Sequence, residues 1–189
     1  MEVDALIVEI KQKLTATFAK LDEWFGVSES LRAFRPLNGG WTINEILEHV
    51  ALTNHYLLIL INKAAAKAAK NINNLDLATE LGSYQFARAK LDEIGQHKSF
   101  AWIRPEHMEP KGAQTVTEVS QTLRKQLGQC EEILRQLPNG EGLLYRTTMS
   151  VNALGKINVY ELVYFLAKHA ERHLTQIEQV AAEYQVLNR

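Results

Sequence analysis

The sequence predicts an all-α protein, a four-helix bundle with a long crossover between the second and third long helices. Three observations predict it. Four long stretches carry apolar residues at helical spacing. Three of them open on a capping box, an Asn or Thr followed three residues later by Glu. No internal repeat and no strong strand pattern competes with this reading.

The elements follow in order. Residues 3 to 25 place Val3, Leu6, Ile7, Ile10, Leu14, Phe18, Leu21 and Phe25 on one face, and Gly26 is a stop. Val27 to Gly40 reads as an irregular connection with one helical turn near Glu29 to Ala33. Thr42 and Glu45 open the second long helix, whose core stripe runs Ile46, His49, Val50, Thr53, Leu57, Leu60. Its end, Lys63 to Lys70, has little apolar surface and reads as a solvated tip. Leu75 to Ile94 suggests one further helix, and Phe100-Ala-Trp-Ile103 is a short apolar run in an extended crossover. A connection this long is often functional. Thr115 and Glu118 open the third long helix, closed by Pro138-Asn-Gly140. Leu143 to Ile157 is a second connection. Asn158 and Glu161 open the last helix, with Leu162, Phe165, Leu166, Ile177 and Val180 facing inward.

Composition narrows the function. The chain of 189 residues is 46% hydrophobic and 23% charged, which fits one domain over residues 1–189 with a sizeable core. Its 21 basic and 22 acidic residues leave a formal charge of −1, so no general attraction to nucleic acid or an anionic membrane is expected. No apolar run is long enough to span a bilayer. The first ten residues carry acids where an export signal carries bases, so a cytoplasmic location is expected. Cys130 is the sole cysteine and reads as a small core residue.

The histidines carry the chemistry. Of six, His49, His169 and His173 occupy positions where leucine would serve the core. His169 and His173 are i and i+4, offset by about 40° round the helix and about 6 Å along it, so both rings can meet one ion. Buried imidazoles need partners for their nitrogens. A metal partners all three at once and requires their neutral form. Core histidines satisfied by protein groups are the alternative. His55 lies about 120° from His49 on its helix and cannot easily share a site with it. His97 and His107 fall in the crossover and read as solvated. A zinc-protease motif is excluded, because it needs Glu directly after the first histidine and Ala170 stands there. Glu171 points about 200° away from His169.

Trp41 with Ile46-Leu47-Glu48-His49, and His169-x-x-Arg172-His173-x-x-Gln176-Ile177, resemble the DinB-like superfamily, which includes YfiT-like proteins and bacillithiol transferases. The resemblance implies a four-helix bundle holding one divalent ion on His49, His169 and His173, with nickel, zinc, iron or manganese all chemically possible. It implies transfer of a low-molecular-weight thiol to an electrophile, or a related hydrolysis or isomerisation, with a small-molecule substrate and a homodimer. The alternative is a non-enzymatic stress-response protein that binds a metal or ligand. Accessory candidates are Gln176, which either meets the His173 N–H or lines the rim, Arg172, expected in an interhelical ion pair, and Tyr56, whose hydroxyl could reach the pocket. Glu45 is expected to close its cap rather than orient His49, and Trp41 to anchor the helix start.

Overall fold

All three capping boxes form. In each, the Thr42, Thr115 or Asn158 side chain accepts from the backbone N–H three residues on, and the glutamate there accepts from the cap's own N–H. The computed structural model describes residues 3–102 and 105–188; Ile103, in the predicted apolar run, lies outside them. The helices are α1 (Val3–Glu23), α2 (Glu29–Arg32), α3 (Ile43–Asn71), α4 (Leu77–Ser83), α5 (Arg88–Gly95), α6 (Val116–Gln136) and α7 (Val159–Leu187). Between α6 and α7 a small antiparallel pair intervenes, β1 (Arg146–Met149) and β2 (Gly155–Asn158). The fold is all-α.

The long helices pack as a four-helix bundle. α7 is held between α1 and α3, α6 packs on the same two helices, and α5 lies along α7. This surrounds the start of α7, where every residue from Val159 to Ala170 is buried. A helix buried all round needs satisfied polar groups. Tyr160 meets that demand by donating to the Leu137 carbonyl at 2.6 Å, and Glu161 by closing the cap.

Four expectations are corrected. Leu143 to Ile157 is not a plain connection, because it contains the hairpin, registered Arg146 to Asn158 and Met149 to Gly155. Its strands are four residues each and partly polar, too short for an alternating signal, and Asn152, Ala153 and Gly155 turn the chain with positive φ. The tip of α3 is solvated on only one side. Lys63, Lys67 and Lys70 are exposed as expected, but Ala64 and Ala68 are buried and Asn71 donates to the Leu144 carbonyl at 2.8 Å, so the tip does not outrun the core. Leu60 is exposed while Leu58 and Ile61 take the core positions. Leu75 to Ile94 forms two short helices. The chain is extended at Tyr84 and Phe86 then packs on Tyr164, with 5.1 Å between ring centroids.

The crossover rests on the bundle as expected, with a single tight helical turn at Glu106–Met108. Cys130 is buried in the core, and burial pushes its thiol up to about 12.

Candidate metal centre

α3 and α7 bring His49, His169 and His173 together. They are 5, 2 and 8% exposed, and one ligand nitrogen from each lies within 4.8 Å of the others. His169 Nε2 and His173 Nε2 are 3.2 Å apart. With metal–nitrogen bonds of about 2.1 Å, two nitrogens on one ion stand about 3 Å apart, so the spacing fits.

The hydrogen bonds behind the rings set the tautomers. His49 Nδ1 donates to the Met108 carbonyl at 2.7 Å. His173 Nδ1 donates to Gln176 Oε1 at 3.0 Å. A carbonyl oxygen can only accept, so Nδ1 carries a proton in both rings, and a neutral ring then keeps its lone pair on Nε2. This is how histidine ligands are ordinarily held. Burial, followed by the neighbouring His49, holds the His173 imidazole down to about 3. Burial and then the His173 and His49 neighbours hold His169 well below its ordinary value. Both are neutral at pH 7. A donor set of three imidazoles, which bind a metal in their neutral form, fits a borderline divalent ion such as zinc or nickel and leaves that ion's charge uncancelled. His169 Nδ1 has no partner among the described residues.

Two indoles flank the cluster. Trp41 lies 4.8 Å from the His49 ring and Trp102 lies 5.6 Å from the His169 ring. Trp41 thus packs at the start of α3 as expected, and against a site histidine as well. Gln176 meets the His173 N–H, which decides between its two predicted places. Glu45 is occupied by Arg35 at 2.6 Å and by the Thr42 N–H at 2.8 Å, so it closes the cap. Glu171 turns to Lys168 and Lys13, away from the triad.

Other candidates fall elsewhere. Among the described residues Arg172 makes no interhelical ion pair of the kind expected. Its guanidinium donates to the Gln96 carbonyl and lies over the Phe100 and Trp102 rings. Tyr56 packs on His107 and His55, with centroids 4.4 and 5.1 Å away, rather than on the triad. His107 is exposed, whereas His97 is half-buried, and burial followed by the Arg172 charge lowers its pKa.

Three contributors were not foreseen. The Met108 carbonyl that holds His49 is backbone and carries no side-chain signal. Glu48, 5% exposed, accepts from the Lys111 and Gly112 N–H groups at 3.2 and 2.9 Å. Trp102 belongs to the noted apolar run, which did not say that it would reach His169.

A sequence profile of the DinB superfamily matches residues 13–177, which takes in the three histidines, Arg172 and Gln176. The chain belongs to the DinB superfamily. No curated protein and no solved structure matches it. Among the described residues, no helix is long and apolar enough to cross a membrane.

Proposed function

We propose that this DinB-superfamily protein is a divalent-metal-dependent enzyme that transfers a low-molecular-weight thiol to an electrophile, or performs a related hydrolysis or isomerisation. One observation carries the reading. His49 and His173 both have Nδ1 tied to an acceptor, and one ligand nitrogen from each of the three rings lies within 4.8 Å of the others, the arrangement that a shared cation needs. What such an ion supplies is Lewis acidity towards a thiol or a water. The chain's own part is to hold three neutral imidazoles in place, keep bulk water away with Trp41 and Trp102, and add no carboxylate to the cluster.

A second reading is a protein that stores or senses a metal or ligand without turnover. The burial of the triad beneath the crossover favours it. Metal analysis of protein purified without chelator or tag, beside His169→Ala, tests the shared premise. One divalent ion per chain, lost in the variant, is expected. No metal in either protein after reconstitution with zinc, nickel, iron and manganese removes both metal readings. A panel of thiols and electrophiles then separates enzyme from binder, since loaded protein inert to the whole panel is a binder.

A further inference from the structure

Beside the triad, among the described residues, a buried N–H has no acceptor and a cation has no carboxylate. Trp102 Nε1 is buried and has no acceptor among the described residues. A buried donor left unpaired is destabilising. The Trp102 ring is 5.6 Å from the His169 ring and 5.1 Å from the Arg172 guanidinium.

Among the described residues Arg172 lacks a carboxylate partner. Arg35, Arg88, Arg124, Arg135 and Arg146 each face one, while Arg32, like Arg172, meets only backbone carbonyls. Arg172 gives one nitrogen to the Gln96 carbonyl, and among the described residues no carboxylate meets the rest of its fork. The adjacent acid, Glu171, is held by Lys168 and Lys13 instead. The three histidines add no negative charge. A half-exposed fixed cation, a buried indole donor and the flat faces of Phe100 and Trp102 therefore meet on one side of the cluster.

A carboxylate answers this arrangement. Its two oxygens match the guanidinium fork and leave a lone pair for the indole N–H. We propose that Arg172 and the Trp102 N–H bind the carboxylate of an anionic substrate whose reacting end lies at the histidine triad. The second half of that statement rests on the triad being the reacting centre, while the anchor itself does not.

The test is calorimetric titration of the full chain with benzoate, with its uncharged isostere benzamide, and with inorganic phosphate. Chelator-treated and zinc-loaded protein are both titrated, and metal content is measured on the same samples. Benzoate is expected to bind with a Kd of about 1 mM or tighter and benzamide not to bind. Arg172→Gln weakens benzoate by about tenfold or more, as loss of a charge-assisted pair does. Trp102→Phe keeps an aromatic side chain, removes the N–H, and weakens benzoate by about threefold to tenfold in protein that still folds. It decides the matter should Arg172→Gln not fold. Benzoate bound equally by the variants, no benzoate binding, or phosphate bound in preference overturns the carboxylate anchor. Arg172-dependent benzoate binding in protein that takes up no metal keeps the anchor and removes the metal reading. Metal uptake without benzoate binding does the reverse.

Discussion

The Gln176 amide oxygen, 3.0 Å from His173 Nδ1, decides which imidazole nitrogen carries the proton. Without it the ring is free to place its proton on Nε2 and lose the lone pair that faces the cluster. Gln176→Leu is therefore expected to weaken metal affinity by about 10–100-fold, the usual effect of removing a ligand's hydrogen-bond partner. Gln176 is half-exposed, so the fold should survive the change. Competition with a chromophoric chelator measures the loss, and unchanged affinity would show that His173 needs no such partner. Tyr56→Phe makes the opposite case. Tyr56 packs on His107 and His55, so removing its hydroxyl should leave metal affinity where it was. A tenfold drop would mean that the hydroxyl reaches the cluster after all.

At the scale of elements, α3 grips the crossover with consecutive residues. His49 donates to Met108, and Glu48 accepts from the Lys111 and Gly112 N–H groups. The crossover thereby orients a site histidine, although it holds none of the three itself. Glu48→Ala leaves two backbone donors without their carboxylate, at a cost of about 1–3 kcal/mol. Hydrogen exchange at residues 106–112 should quicken and metal affinity should fall. Exchange as slow as in the parent would show the crossover to be held by other contacts. The histidine positions were legible because helical facing fixes which residues converge, and Gln176 because i and i+3 are neighbours on a helix. The crossover was not, because it has no period to read and acts partly through a carbonyl. The hairpin escaped because Arg146-Thr-Thr-Met and Gly155-Lys-Ile-Asn are too short to alternate. At the α3 tip the lysines are solvated as their type predicts, whereas alanine is indifferent to burial, so nothing in the sequence marks Ala64 and Ala68 as core.

For the whole molecule, neutral buried imidazoles couple folding to pH. His173 is held down to about 3, and His169 also well below its ordinary value, each by burial first. As pH falls through about 6.5 the unfolded chain takes up protons on these rings. The native protein takes none on His173 until about pH 3, so the unfolded state binds more protons across that window. Stability therefore rises with pH between about 3 and 6.5, is fully present above it, and is lost on acidification. Each histidine adds a slope of about 1.4 kcal/mol per pH unit. Glu9, Glu45 and Glu171, lowered in the folded state, add loss of the same sign only at more acid pH. The window from about pH 6.5 to 5 thus isolates the histidines. Chemical denaturation of chelator-treated protein there should show the slope, and a His169→Leu, His173→Leu double variant should reduce it, leaving the share of His97, whose pKa is also lowered. A slope undiminished in the variant would mean that these two imidazoles are not held neutral. Saturating zinc should raise stability at pH 7 in the parent and not in the variant, because an ion that binds only the folded cluster stabilises it by mass action.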